Sequence, residues 1–461
     1  MKAICQQLHY DLQVWSVVDG LVDAQTEKTR AANDPLEVLI AIAELKDFHL
    51  FLADPNPILI RQFKDVLQRA KTQNKTLIIL GCRLLLPAEL ERELTVIEFS
   101  LPGKDQLAHV LNGICESAEL KSIEGDEREK VLNAASGMTT MEAENAFALS
   151  VVQMKNIDPA IVAKEKAQVV KKNGLLELIE TTASLASIGG LEVLKDWLLK
   201  RKEAFSQKAI QYGLPTPKGL LMLGIAGTGK SLSAKATAAV LGVPLLKLDA
   251  GRLFGGLVGQ SEGNLRSVIQ TAEAISPCVL WIDEIEKGFS GSKSSGSTDG
   301  GTSARVFGSF ISWMQEKKAP VFIVATANDV SQLPPEMLRK GRFDELFFVD
   351  LPNQSEREAI WDIQISKYKR DPKEFDLVQL ARMTEGLTGS EIENVFVDAM
   401  FHAFYEDQEP TDLTIALILN DFVPLSKLMA EQITGLRNWA KGRARSATSP
   451  ISERKLRKMA A

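Results

Sequence analysis

A short glycine-rich segment carries the residue types that hold a triphosphate. Gly224–Ser231 matches the P-loop pattern G-x-x-x-x-G-K-[ST], in which glycines let backbone N–H groups face phosphate oxygens. Lys230 would place a positive charge beside the β- and γ-phosphates, and the Ser231 hydroxyl would bind Mg²⁺. The pattern therefore predicts a nucleoside triphosphate and Mg²⁺ as ligands. The candidate residues are Gly224, Ile225, Ala226, Gly227, Thr228, Gly229, Lys230 and Ser231.

The residues on either side favour a P-loop over an ordinary glycine-rich loop. Leu220–Leu223 is a short apolar run typical of a buried strand, and Leu232–Leu241 is rich in alanine and typical of a helix. A P-loop requires this order of strand, loop and helix, because the helix directs its positive N-terminal end at the phosphates.

Two adjacent carboxylates follow the apolar run Val279–Ile282. Asp283 is placed to hold the Mg²⁺ shell at the tip of a strand beside the P-loop. Glu284 is a candidate general base for the water that attacks the γ-phosphate, a role worth about 10²–10⁴ in rate. Such a pair is often only a solvated strand end, but its position about 50 residues after a P-loop favours the catalytic interpretation.

Three further polar residues are candidates for the same chemistry. Asn328 ends the apolar run Val324–Ala327 and would orient the attacking water or contact the γ-phosphate; an ordinary turn asparagine is an equal alternative. Arg339 and Arg342 flank a glycine, and an arginine supplied by a neighbouring subunit can add about 10³–10⁵ in rate. Their alternative is a surface turn with two solvated arginines.

The elements that must position these residues form an α/β pattern. Five apolar runs of strand type alternate with helical runs between residues 219 and 351, which predicts a parallel sheet covered on both faces. After residue 353 only helices are expected, and Ser390 with Glu393 is read as a capping box. The five runs are Leu220–Leu223, Leu245–Leu248, Cys278–Ile282, Val321–Ala325 and Leu346–Val349.

Composition excludes several functional classes. The 461 residues carry a formal net charge of −6, which disfavours nucleic-acid binding by the whole chain but leaves a local basic patch open. No apolar run reaches about 18 residues, and the N-terminus has no signal-peptide core, so no membrane span or secretion is expected. Four scattered cysteines indicate a reducing compartment and no metal site. They are Cys5, Cys82, Cys115 and Cys278.

These motifs, taken in order, resemble those of the AAA ATPases over residues of about 187–405. Longer phrases, such as Arg252–Gly259 and Pro334–Glu345, resemble the AAA proteins of cyanobacteria and plastids more specifically. The matching elements are an entry motif at Ile188–Leu191, Walker A at Gly224–Ser231, Walker B ending at Asp283 and Glu284, a sensor at Asn328, arginine fingers at Arg339 and Arg342, and a lid motif at Gly386–Ser390.

The resemblance implies a fold, ligands and partners. The expected fold is an AAA P-loop module, with a five-stranded parallel sheet and flanking helices, followed by an α-helical lid. ATP and Mg²⁺ are the expected cofactors, and Ile188, Gly189 and Gly389 join the nucleotide-binding residues. The resemblance also implies a hexameric ring of identical chains, an unidentified protein substrate or adaptor, and a location in the cytoplasm or the plastid stroma.

The chain departs from the family pattern at three places. Ser187 stands where the entry motif usually has aspartate, and Ile225 and Ala226 replace two prolines of Walker A. Leu257, preceded by Gly256, occupies the central-pore position that usually carries an aromatic residue. Leucine keeps an apolar contact without a flat ring, which puts the threading of a polypeptide in doubt.

The first 160 residues are read as a decayed copy of the second half. Gly137–Phe147 matches Gly386–Phe396 in register, Leu77–Leu80 is similar to a later strand, and Phe48–Asp54 lies where a Walker B strand would be. This copy has no P-loop, and Gly81 replaces the sensor asparagine, so it would not hydrolyse ATP. The alternative is a coincidental similarity between two α/β segments.

The predicted organisation has five parts, and the last allows two interpretations. The basic tail at 441–461 would bind an acidic partner, nucleic acid or a membrane surface in the first interpretation. In the second, which is favoured, it is a solvated, disordered terminus. The parts are a degenerate AAA-like α/β domain without a P-loop at 1–160, a helical linker at 161–186, a large ATPase domain at 187–353, a helical lid at 354–440 and a basic tail at 441–461.

Two functions fit these features. The first is an ATPase that remodels a protein or complex, favoured by the intact Asp283, Glu284, Asn328, Arg339 and Arg342. The second is a nucleotide-gated scaffold or regulator with slow turnover, which the leucine at the pore position and the degenerate first copy leave open.

Overall fold

The computed structural model comprises two compact units, Met1–Ser100 and Leu101–Ala461. The division therefore falls after residue 100, whereas the sequence predicted a boundary at 160. The structure describes residues 12–16, 20–24, 26, 29–30, 44–46, 48–52, 56–73, 76–81, 86–97, 101–172, 174–180, 183–254, 260–289, 300–339 and 341–449.

The first unit contains a small mixed sheet with the strand order β3-β2-β1-β4-β5. Strand β4 pairs in parallel with β1 and β5, whereas β2 is antiparallel to β1 and β3. Helix α1 begins after Asn56, whose side chain accepts a hydrogen bond from the Ile58 N–H. The elements are β1 (Gln13–Ser16), β2 (Gly20–Asp23), β3 (Thr29–Arg30), β4 (Glu44–Lys46), α1 (Pro57–Thr72) and β5 (Ile78–Leu80).

The prediction of a strand at Phe48–Asp54 is wrong. Phe48–Leu52 forms a 3₁₀ helix that follows β4, and the rings of Phe48 and Trp15 lie 5.9 Å apart in the core of this unit. Burial of these aromatic side chains, rather than strand propensity, decides the local structure. The predicted counterparts of the Walker B acids, Ala53 and Asp54, lie outside the described residues.

The second unit begins with four helices that bury their own apolar faces against one another. Leu111 and Phe147 lie in this core, and both are fully buried. The first of them, α2, begins after Leu101 and Pro102, which the repeat hypothesis paired with Leu351 and Pro352. The helices are α2 (Lys104–Ser117), α3 (Gly125–Ala135), α4 (Thr140–Met154) and α5 (Pro159–Lys172).

The main sheet contains the five predicted strands as its centre, all parallel, and the predicted fold class is confirmed. The strand order is β12-β11-β7-β10-β9-β8-β6. All six residues of β7 are buried, as expected for a strand covered on both faces. The strands are β6 (Leu176–Ile179), β7 (Gly219–Gly224), β8 (Leu245–Leu248), β9 (Cys278–Ile282), β10 (Val321–Ala327), β11 (Glu345–Val349) and β12 (Arg445–Ser446).

Two edge strands were not predicted. Strand β6 pairs antiparallel with β8, so part of the expected helical linker at 161–186 belongs to the sheet. Strand β12 pairs in parallel with β11, and Ala447 after it is fully buried, so residues 441–449 of the expected tail are structured. Residues 450–461 lie outside the described part of the chain.

Helices cover both faces of the sheet. Phe310 packs on one face with Leu223, and Trp197 packs on the other with Phe322. Helix α8 follows the P-loop directly. The helices are α6 (Glu192–Leu199), α7 (Gln207–Tyr212), α8 (Lys230–Leu241), α9 (Ala250–Phe254), α10 (Gln260–Ile275) and α11 (Gly300–Glu316).

The lid follows the sheet and has its own core around Trp361 and Phe396. Its second long helix is capped by Thr388 and Glu391, not by the predicted pair Ser390 and Glu393. The helices after β11 are α12 (Gln354–Lys367), α13 (Leu377–Met383), α14 (Gly389–Tyr405), α15 (Asp412–Asn420), α16 (Leu425–Leu428) and α17 (Ala430–Ala440).

The four helices α2–α5 and the lid share a capping arrangement. Thr139 and Glu142 exchange hydrogen bonds of 3.3 and 2.8 Å before α4, and Thr388 and Glu391 exchange bonds of 3.3 and 2.7 Å before α14. This is the register in which the sequence aligned the two halves. The two caps thus have the same residue types at the same spacing.

Among the described residues, no single helix has the length and apolar composition to cross a membrane. One bent pair, Asp412–Leu428 with Ala430–Ala440, passes that test only when the two segments are taken together, and they meet at 51°.

Candidate functional site

The P-loop joins the carboxyl end of β7 to the first turn of α8. The Lys230 ammonium is buried beneath the loop and donates to the carbonyls of Gly224 and Ile225 over 2.9 and 2.6 Å. Burial lowers its pKa to about 8, and the nearby Glu286, Asp283 and Glu284 oppose this shift. The loop thus presents a cation and a helix N-terminus to one point, as a triphosphate site requires.

The structure brings the two predicted metal ligands together. The Ser231 hydroxyl donates to Asp283 Oδ1 over 3.2 Å, from the start of α8 to the end of β9. Thr326 on β10 donates to the same oxygen over 2.7 Å and accepts from the Glu284 N–H over 3.0 Å. A hydroxyl and a carboxylate at this spacing are hard oxygen donors, which fit Mg²⁺ held with phosphate oxygens.

Glu284 and Asn328 also meet, although they end different strands. The Asn328 side-chain amide donates to Glu284 Oε1 over 3.0 Å, and Lys287 pairs with the other carboxylate oxygen. Glu284 has a left-handed backbone conformation, with φ of 48°, which is costly for a residue with a side chain. Its N–H bond to Thr326 holds this conformation and turns the carboxylate toward the sensor position.

Sequence reasoning missed two residues of this cluster. Thr326 is one, and Glu286, whose Oε1 accepts from the Asn328 N–H over 2.8 Å, is the other. Burial raises the pKa of Glu286, and its second oxygen has no hydrogen-bond partner in the described structure. Neither was marked by a local pattern, because Thr326 lies in a strand that is buried throughout and Glu286 lies in a 3₁₀ helix.

The segment that carries Arg342 is anchored at the end of β7 opposite the P-loop. The Asp344 carboxylate, two residues after Arg342, accepts from the N–H groups of Lys218 and Gly219 at the amino end of β7. The P-loop follows Gly224 at the opposite, carboxyl end of β7. With a rise of about 3.3 Å per residue, the two ends of this strand lie roughly 17 Å apart. Arg339 is exposed, and the buried Arg342 Nε has no hydrogen-bond partner in the described structure.

The lid contacts the P-loop directly. The Ser390 N–H donates to the Gly227 carbonyl over 3.1 Å, and Gly389 lies beside that carbonyl. Gly227 has φ of 78°, and a Cβ there would lie 2.8 Å from the Thr388 hydroxyl oxygen. The predicted lid motif is therefore seated on the phosphate loop.

The entry motif faces the lid across a narrow cleft. Ile188 is buried, and a Cβ on Gly189 would lie 2.5 Å from Ile360 of α12. The entry motif therefore lies beside the P-loop and under the lid. The cleft is lined by Gly189, Leu191, Thr228, Asp350, Pro352, Glu356, Ile360 and Gly389.

Two sequence features lie wholly or mostly outside the described residues. Leu257 at the predicted pore position lies outside the described residues, as does most of the glycine- and serine-rich stretch at 288–303. Among the described residues, no cluster of three or more histidine, cysteine, aspartate or glutamate side chains has the geometry of a metal site.

Family models match four parts of the chain. Residues 220–351 match the ATPase family associated with various cellular activities (AAA), and residues 374–415 match the AAA+ lid domain. Residues 1–99 match the N-terminal domain, and residues 105–173 the second domain, of SpoVK-like AAA ATPases. The predicted resemblance is thus confirmed for the ATPase module and extends to the first half.

Relatives match over nearly the whole chain. A protein of Pyropia yezoensis named "Uncharacterized AAA domain-containing protein ycf46" is 41% identical, covering 94% of this chain and 90% of its own length. The protein of that name from Trieres chinensis is 42% identical, covering 97% and 92%. The ATP-dependent zinc metalloprotease FtsH of Mycoplasmoides gallisepticum is 30% identical over 52% of this chain and 32% of its own length. With two full-length relatives and a matching ATPase module, the chain belongs to the AAA ATPase family.

Proposed function

We propose that the protein binds and hydrolyses ATP with Mg²⁺. The observation that carries this proposal is the pairing of Glu284 with Asn328 over 3.0 Å, next to the contact between Ser231 and Asp283 over 3.2 Å. These four side chains come from three different segments and converge beside the P-loop. A structural ion pair would not need this convergence, whereas activation of a water next to a γ-phosphate does.

Each residue has a distinct role in this proposal. Lys230 exchanges its contacts with the loop carbonyls for the β- and γ-phosphate oxygens, and Ser231 with Asp283 holds Mg²⁺, which neutralises charge on those oxygens when bound. Glu284 accepts the proton of the attacking water, and Asn328 holds both that carboxylate and the water in place.

The arginines support an oligomer. Gly341 and Asp344, on either side of Arg342, are bonded at the end of β7 opposite the P-loop, which supports a role for Arg339 and Arg342 outside the site of their own chain. We propose that they complete the site of a neighbouring copy, which requires head-to-tail contact and closes into a ring when the rotation per subunit fits. A hexamer is the form that the family resemblance favours, with one ATP per chain at the single P-loop.

We propose an unidentified protein or complex as the substrate of remodelling, in the cytoplasm or the plastid stroma. The localisation rests on the algal relatives. A nucleotide-gated scaffold with slow turnover is the second candidate, favoured by the leucine at position 257 where an aromatic residue would grip a polypeptide.

Steady-state phosphate release separates these two candidates. The wild type should hydrolyse ATP about 10²–10⁴ times faster than Glu284→Gln, which keeps the shape of the side chain and loses the base. Equal rates of phosphate release by the wild type and Glu284→Gln would exclude the ATPase and favour the nucleotide-gated scaffold. If the wild type is faster, affinity capture with ATP-bound Glu284→Gln should retain the protein substrate, because without hydrolysis the variant does not release it.

A further inference from the structure

The N-terminus of helix α6 is completed by a distant part of the chain. Its N-cap residue, Leu191, has φ of 57° and no side-chain acceptor for the free N–H groups of the first turn. The Ala447 carbonyl accepts two of these, from Val193 over 3.1 Å and from Leu194 over 3.2 Å. A residue near the C-terminus therefore acts as the cap that the local sequence lacks.

A buried carboxylate joins the same two segments to the lid. Glu356 of α12 is 5% exposed, and its Oε1 accepts from the Leu191 N–H over 3.0 Å and from the Thr448 hydroxyl over 2.8 Å. Its Oε2 accepts from the Asn353 N–H over 3.0 Å. The entry motif, the lid and the C-terminal segment thus converge on one side chain.

The C-terminal segment is itself fixed to the sheet. Arg445 and Ser446 pair with β11, and the Ala447 N–H donates to the Phe348 carbonyl over 2.9 Å. Upstream, Arg437 of α17 forms a bidentate contact with Asp350, which lines the cleft beside the entry motif. The residues that contact Leu191 and Glu356 are therefore held in place by the sheet.

We propose that residues 445–448 are a C-terminal strap that positions Ile188–Leu191 for the nucleotide base. Thr448 is a positioning residue that acts through Glu356, and Ala447 acts through the N-terminus of α6. The inference rests on the proposed ATP binding. Since none of the described strap contacts reaches the P-loop, the strap governs the base side of the nucleotide and leaves the phosphate side unchanged.

The binding of two ligands tests whether the strap affects the base side of the nucleotide and not the phosphate side. Calorimetry with AMP-PNP, which carries the base, and with inorganic tripolyphosphate, which does not, compares the two sides in the presence of Mg²⁺. Thr448→Val removes one hydroxyl and should weaken AMP-PNP about 3- to 10-fold while changing tripolyphosphate less than about twofold. Thr448→Ser should restore the wild-type affinity. Thr434→Val is the matched control, because that hydroxyl bonds only to its own helix at Ala430.

Truncation gives a second and independent test. A chain ending at Ser449 keeps every contact named above and should bind both ligands as the full chain does. A chain ending at Ser446 loses Ala447 and Thr448, and should lose AMP-PNP selectively. Equal AMP-PNP binding by Thr448→Val and wild type, or an equal loss of both ligands, would overturn the strap. If the wild type binds neither ligand, the proposed nucleotide binding fails, and the strap inference fails with it.

Discussion

Asn328 donates its side-chain amide to the carboxylate of Glu284 over 3.0 Å, although 44 positions separate the two residues. Each follows a buried parallel strand, and β9 and β10 are neighbours in the sheet. Their carboxyl ends therefore meet at the edge where the P-loop also lies. The pairing fixes a base beside a phosphate site without any contact between residues close in sequence.

Thr326 should be needed for activity because its hydroxyl bonds both Asp283 and the Glu284 N–H. Thr326→Val leaves the half-buried Glu284 N–H without its acceptor and Asp283 with Ser231 as its remaining hydroxyl donor, and we expect a loss of about 1–3 kcal/mol in stability and at least a tenfold fall in ATP turnover. Thr237→Val is the control, since that equally buried hydroxyl bonds only within its own helix. Equal turnover in the two variants would remove Thr326 from the site.

Arg342→Ala should lose turnover while it still binds ATP. Because the segment that carries Arg342 is anchored at the end of β7 opposite the P-loop, we expect the loss to exceed about 10²-fold and to be repaired in trans. Mixing with Lys230→Ala chains, which keep Arg342, should restore phosphate release. Arg382→Ala, an exposed arginine of the lid, is the control. Full activity of Arg342→Ala alone would contradict the assignment.

Gly227→Ala should abolish nucleotide binding. The new methyl group meets the Thr388 hydroxyl at 2.8 Å, and φ of 78° disfavours any side chain. Gly213→Ala is a matched control, with φ of 84° and no atom within 4 Å of the new Cβ. Both variants should lose about 1 kcal/mol in stability. Fluorescence titration with a labelled ATP should distinguish them, and normal binding by Gly227→Ala would argue against contact between lid and P-loop.

Lys166 gives the folded protein a characteristic pH dependence. Burial lowers the pKa of Lys166 to about 8, whereas the unfolded lysine titrates near 10.4. Between those values the unfolded chain binds the extra proton, so this lysine makes stability rise with pH. Burial raises the pKa of Cys278 to about 12, which keeps the thiol neutral over most of this window.

Lys166→Met should therefore be more stable than wild type at pH 7, by about 1–3 kcal/mol, and the advantage should shrink near pH 10. Urea unfolding at both pH values measures it. Lys171→Met, at an exposed position on the same helix, should show neither effect. An advantage that is the same at both pH values would mean that Lys166 titrates normally.

The P-loop, the Walker B acids and the central strands could be predicted because each is contiguous in sequence. The phosphate cradle is formed by consecutive backbone N–H groups, and a strand buried on both faces reads as an unbroken apolar run. The proximity of Asn328 and Glu284 follows from the rule that neighbouring parallel strands have their carboxyl ends at the same edge of the sheet.

Other features depend on register and tertiary contacts that no local pattern contains. Thr326 reaches Asp283 because of how β9 and β10 are aligned, and Ala447 caps α6 from more than 250 residues away. Strands β6 and β12 are short edge strands whose pairing depends on a neighbour. Phe48–Leu52 forms a 3₁₀ helix because its aromatic residues are buried, against its apparent strand character.

Glu284 is proposed as the general base for hydrolysis of an ATP held by the P-loop. Single-turnover hydrolysis of γ-labelled ATP, with enzyme in excess, measures this step apart from binding and product release. We expect the wild type to convert its bound ATP at least 100 times faster than Glu284→Gln, while both bind ATP with similar affinity. Conversion at the same rate by both proteins, with ATP bound to each, would show that Glu284 is not the base.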